Sequence, residues 1–127
     1  MSAPGGVRPV GPYRPAVRVG DWVVTSGQVG AAPDPDGVLQ IVGGGTAGQA
    51  RQALANLQAV LVGEGASLAD VVKKTVYLVD MSDFALLNEV WIATFAEPRP
   101  ARSAVGVAAL PLGARVEVEA WAYVGGR

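Results

Sequence analysis

The chain has 127 residues, ten basic and eleven acidic side chains, a net charge of −1, and neither histidine nor cysteine. Half the residues are hydrophobic but only 6% are aromatic, so a chain of one domain's length must build its core from Val, Ala and Leu. The missing residue types exclude disulfides, thiolate nucleophiles, zinc ribbons, and Ser-His-Asp or Cys-His catalysis, leaving Asp, Glu, Lys, Tyr or water to move protons and Arg as a permanent cation.

Met1 to Val7 is small and Gly/Pro-rich, without the basic start and apolar run of a signal peptide; it predicts a cytoplasmic protein with a flexible segment over 1–10 ahead of a domain at 11–127. Val17–Val19 and Trp22–Ser26 are β-branched runs split by Gly20-Asp21, which suits a hairpin with a type II′ turn. Residues 32–37 (Ala-Pro-Asp-Pro-Asp-Gly) read as a turn-rich loop, and Val38–Val42 as a short edge strand. Thr46 and Gln49 have capping-box spacing. Ala50, Ala53, Leu54, Leu57, Val60 and Leu61 then recur on one helical face that should end near Gly63 or Gly65.

A Ser67-x-x-Asp70 turn leads into a strand, Val72–Val79, in which Val72, Val76 and Leu78 alternate with Lys73, Thr75 and Tyr77. Ser82 is a candidate cap for a second helix whose Phe84, Leu87, Trp91 and Phe95 form an apolar stripe closed by Pro98 and Pro100. Two strands, Arg102–Ala109 and Arg115–Val124, follow, joined through Pro111-Leu112-Gly113. This order predicts an α+β domain, a sheet with both helices on one face.

In the last strand Val116, Val118, Ala120, Ala122 and Val124 should meet the helices, while Arg115, Glu117, Glu119, Trp121 and Tyr123 face away. Aromatics on a free sheet face predict self-association. On the preceding strand Arg102 shares its face with Ala104, Gly106 and Ala108. If copies close around the free face, Arg102 and Glu117 could put a cation and a carboxylate in one cleft; a plain cross-strand salt bridge is the competing reading.

Seven stretches then occur in order: Gly-Pro-Tyr at 11–13, Thr-Ser-Gly-Gln at 25–28, Gln-Ala-Arg-Gln-Ala-Leu-Ala-Asn-Leu from 49, Val-Lys-Lys-Thr-Val-Tyr-Leu-Val-Asp-Met from 72, Asn88-Glu-Val, Pro-Ala-Arg-Ser from 100, and Val-Glu-Val-Glu-Ala from 116. On these the chain resembles the reactive intermediate deaminase (RidA/YjgF) family, also described as translation inhibitors or L-PSP endoribonucleases. The resemblance implies a chorismate-mutase-like subunit in a homotrimer with a central barrel and an active site between neighbours. It implies hydrolysis of 2-imino or 2-enamino acids (2-iminopropanoate, 2-aminoacrylate, 2-iminobutanoate) to 2-keto acid and ammonia, with no metal or organic cofactor. Arg102 would grip the substrate carboxylate and Glu117 would orient water, with Tyr13, Ser26, Gly27 and Asn88 matching pocket positions. Ala104 stands where many members have Cys. Arg14-Pro15 replaces a small residue and Gln, which bears on the accepted side chain.

Two other functions are weighed: a keto-acid binding or sensing protein without turnover, and a ribonuclease, against which stand the pI of 5.3 and the missing His. The basic residues are scattered, so nucleic acid is not an expected partner; no apolar run approaches the ~20 residues of a membrane helix. Gly43-x-Gly45-x-x-Gly48 matches a dinucleotide fingerprint, but the chain lacks room for two mononucleotide-binding halves. Lys73 and Lys74, on opposite strand faces, read as solvated charges, and Trp91 as core.

Overall fold

The computed structural model describes Pro9 and residues 11–126; the expected flexible segment 1–10 lies, Pro9 aside, outside the described residues. Strands β1 (Ala16–Val19) and β2 (Trp22–Thr25) form the expected hairpin. Gly20 takes φ 59° and Asp21 a negative φ, the signs a type II′ turn requires. After β2 come β3 (Gln28–Val29) and a small separate hairpin of β4 (Ala31–Pro33) and β5 (Leu39–Ile41), so the turn-rich loop joins two paired strands.

Helix α1 (Gly45–Val62) buries all six residues of the expected stripe, from Ala50 to Leu61, against the sheet. Burial of each Leu stabilises the fold by about 1.5–3 kcal/mol. The capping box is not formed. Gly44, at φ 94°, is the cap, and Thr46 and Gln49 lie inside the helix with their side chains turned to other elements. The glycines before it serve packing: a Cβ on Gly48 would sit 2.3 Å from the Gly43 carbonyl oxygen. Nothing here is a strand-to-helix phosphate loop, since β5 belongs to the small hairpin.

A 3-10 turn at Leu68–Asp70, boxed by Ser67 and Asp70, leads to β6 (Val71–Leu78). A second 3-10 turn, Met81–Asp83, is capped by Asp80 rather than by Ser82, whose backbone N–H and hydroxyl donate to the Asp80 carboxylate. Helix α2 (Phe84–Thr94) then crosses back to β7 (Ala101–Gly106), and a turn at Pro111–Gly113 leads to β8 (Val116–Tyr123).

The main sheet runs β1-β2-β8-β6-β7, with β3 also paired to β8. Only β6 and β7 are parallel, joined by the α2 crossover. The result is the expected α+β fold, a mixed sheet with the helices on one face. Val116, Val118, Ala120, Ala122 and Val124 are buried beneath the helices, as the alternation requires. Among the described residues no helix is long and apolar enough to cross a membrane.

Candidate functional site

A bulge in the sheet shapes the carboxylate side of the site. Between the pairs Val24–Trp121 and Gln28–Val118 the β2–β3 side is one residue longer than β8. The ladder breaks there, and the Thr25 hydroxyl accepts from the Ala120 N–H in its place at 3.0 Å. The bulge turns the Gly27 backbone toward Glu117: a Cβ at position 27 would lie 2.6 Å from the Glu117 carboxyl carbon. Only glycine leaves that carboxylate where it is.

Ser26 fixes the other wall. Its hydroxyl donates to the Arg14 carbonyl at 2.7 Å and its N–H to that of Pro15 at 2.8 Å, pinning the Tyr13 segment beside β3. Tyr13, Pro15, Gly27, Leu112 and Glu117 line an open hollow. Leu112 is held there at φ 60°, which costs a residue with a side chain about 1–2 kcal/mol. Burial, and then the nearby Glu119, raise the Glu117 pKa above the usual carboxylate value. Glu119 in turn accepts a hydrogen bond from the Tyr77 hydroxyl, whose pKa is pushed up to about 12 by that bond.

The cationic residues gather elsewhere. Because β7 pairs in parallel with β6, Arg102 lies level with Lys74, and Ala104 with Val76, on the face that meets the helices. The Arg102 guanidinium stacks 4.8 Å from the centre of the Phe84 ring and donates to the Asn88 Oδ1. Phe84 and Asn88 are one helical turn apart on α2, so one helix face supplies both platform and acceptor. Ala104 follows Arg102 two residues along the same strand face.

Within one chain Arg102 and Glu117 therefore lie on opposite faces of the sheet. Glu117 pairs with Tyr77 on the face away from the helices, and β6 separates β8 from β7. A cross-strand salt bridge between the two is excluded by the same geometry. Tyr13, Ser26, Gly27 and Glu117 come together, as do Asn88, Arg102 and Ala104, but the chain does not bring one group to the other.

Lys74 is a second correction. It is buried, at 4% exposure, with its ammonium 3.8 Å from the centre of the Phe95 ring and 4.6 Å from that of Trp91. A bulge at Val72 turns that valine out to solvent, while Lys74 falls in line with Val76 and Leu78. Strict alternation already placed Lys74 among those apolar neighbours. In the sequence Phe84 belongs to the apolar stripe of the second helix, and its i, i+4 spacing to Asn88 is the signal that it also serves Arg102. Among the described residues no group of three or more Asp or Glu side chains is positioned to hold a metal ion.

Comparison with known proteins bears on both groups. A family model described as Endoribonuclease L-PSP matches residues 4–124. The chain is 47% identical to a 2-iminobutanoate/2-iminopropanoate deaminase of Mus musculus over 91% of its own length and 84% of that protein. It is 45% identical to a RutC family protein of Pyrococcus horikoshii over 91% and 90% of the two chains. The crystal structure of RidA from an Antarctic Psychrobacter superimposes with a TM-score of 0.86, at 47% identity over 94% of both chains.

Proposed function

Since the chain belongs to the endoribonuclease L-PSP family, the RidA/YjgF proteins, we propose that it hydrolyses 2-imino and 2-enamino acids to 2-keto acids and ammonia in a cleft shared by two copies of a homotrimer. The observation that carries this reading is the division of the site within one subunit. A carboxylate with a raised pKa lines a hollow on one sheet face, and a guanidinium with its platform lies on the other. A ring of identical subunits sets the first half of each copy against the second half of the next, which closes every site at once.

The chemistry suits these groups. Arg102 donates to Asn88 and keeps further N–H groups in a planar fork for the substrate carboxylate. Stacking on Phe84 fixes the plane of that fork. The C2 carbon of the iminium is thereby held against water. Glu117, made more basic by burial, removes a proton as the water oxygen bonds to C2. The proton passes to the amine nitrogen, Glu117 takes the C2 hydroxyl proton as the C=O bond forms and the C2–N bond breaks, and ammonia leaves the 2-keto acid. An enamine is first protonated on C3.

The test is ammonia release from 2-iminopropanoate generated in place by an amino acid oxidase. Wild-type protein should accelerate it, while Arg102→Ala and Glu117→Gln should each lose activity by about 100-fold or more. Co-assembling the two inactive variants should restore activity, because about one site in four then pairs an intact Arg102 with an intact Glu117. A mixture as inactive as its parents would refute the shared cleft, and keto-acid binding by wild type without acceleration would favour a sensor.

A further inference from the structure

Lys74 has no role in the chemistry above, and its surroundings are unusual for a lysine. It is nearly fully buried, its ammonium between the ring of Trp91 in α2 and that of Phe95 just after the helix, and among the described residues it forms no ion pair. The groups around it can be named element by element. From β7 it faces Arg102, its partner in register, and from the loop before β7, Arg99. From β8 it faces Ala120, and from α2 and the residue that caps it the two rings. Arg99 already pairs with Glu97. An ammonium held largely out of water beside two guanidinium groups has no carboxylate partner among the described residues, and the aromatic faces compensate only part of its lost hydration.

We propose that Lys74 is a positioning residue for the carboxylate half of the site, a buried second cation whose charge strengthens the hold of Arg102 on a small 2-oxo or 2-imino carboxylate. The two side chains leave adjacent parallel strands at the same level and on the same face, with backbones about 5 Å apart. Arg102 extends along α2 toward Phe84 and Asn88, and Lys74 toward Trp91 and Phe95. Lys74 thus acts through the field at the guanidinium and not by touching the ligand. In a low-dielectric setting that field persists at distances where water would screen it.

The consequence is a pH dependence that Arg102 alone cannot produce, since a guanidinium does not titrate in this range. Burial first, then repulsion from Arg102 and Arg99, lowers the Lys74 pKa to about 8. Its charge is present below that pH and lost above it, so anion affinity should fall as pH rises through this region. An anion bound nearby favours the protonated lysine, which displaces the midpoint upward in the complex.

The inference rests on the carboxylate role proposed for Arg102, and one experiment separates the two. Binding of pyruvate, which carries no titrating group near pH 8, is measured by calorimetry between pH 6.5 and 9.5. Wild type should bind about five-fold more weakly at the alkaline end. Lys74→Met, which keeps an unbranched chain between the rings, should bind weakly and with no such dependence. Thermal melting of Lys74→Met confirms that it is folded, and Lys74→Leu serves if it is not. An alkaline loss of affinity equal in wild type and variant overturns the role of Lys74, as does its absence from wild type. No pyruvate binding by wild type at any pH overturns instead the role of Arg102.

Discussion

The Glu117 carboxylate illustrates how one side chain is tuned by its neighbours. Burial is the larger cause of its raised pKa and the charge on Glu119, two residues along the same strand face, the smaller. Glu119 is held in place by the Tyr77 hydroxyl. Glu119→Gln keeps an oxygen for that hydroxyl but removes the charge, so the Glu117 pKa falls and its ionised form persists to lower pH. The acid limb of the kcat/KM profile should move down by a fraction of a pH unit, with the alkaline side unchanged; an upward or absent shift would show that Glu119 does not act on the base. Residues such as Glu117 were legible because alternation in β8 is unbroken. The face of Arg102 is not legible, because it depends on which strand β7 pairs with, and alternation within β7 cannot say so. Lys74 differs again: its place in line with Val76 and Leu78 decides its burial, and its charge, which suggests solvent, does not.

At the scale of elements, the N-terminal end of α2 determines where Phe84 and Asn88 meet Arg102, and it is anchored by a polar knot. Thr46 in the first turn of α1 donates to Asp83 at 2.8 Å and accepts from the Arg115 Nε at 2.8 Å. Arg115 also reaches Asp83 at 3.2 Å, while its backbone N–H donates to Gln49 at 2.9 Å. The knot ties α1, the turn before α2 and the strand that bears Glu117 together. Thr46→Val preserves shape but removes the shared hydroxyl from a buried position, so it should cost about 1–2 kcal/mol in urea unfolding at fixed protein concentration. An unchanged midpoint would mean that the knot is held by Arg115 and Asp83 alone. The same residues show where the sequence misleads. Thr46-x-x-Gln49 has the spacing of a local cap, yet both side chains serve contacts dozens of residues away, and a glycine at positive φ starts the helix instead. The apolar stripe of α1 was legible because burial repeats with the helical period; the partner of a polar side chain has no period to read.

At the scale of the whole molecule, the sheet has one face under helices and one without. Trp22, Trp121 and Tyr123 cluster on the second, with ring centres 6.1 Å apart for the tryptophans and 5.0 Å for Trp22 and Tyr123, and each is 40% or more exposed. Alternation in β2 and β8 announces such a face; the strand order β1-β2-β8-β6-β7, which unites it, does not follow from any local pattern. The proposed homotrimer is the means of covering it, since removal of each large ring from water contributes about 2–3 kcal/mol. Trp121→Glu sets a charge into this cluster beside Glu119 while leaving the helix-facing core untouched. Far-UV circular dichroism should therefore stay native, sedimentation should shift from trimer to monomer, and imine hydrolysis should drop by about 100-fold, because no subunit alone joins Arg102 to Glu117. A variant that sediments as a trimer with full activity would place the contact between subunits elsewhere on the fold. A variant that becomes a monomer yet keeps its activity would show that one chain suffices, which the opposed faces of Arg102 and Glu117 argue against.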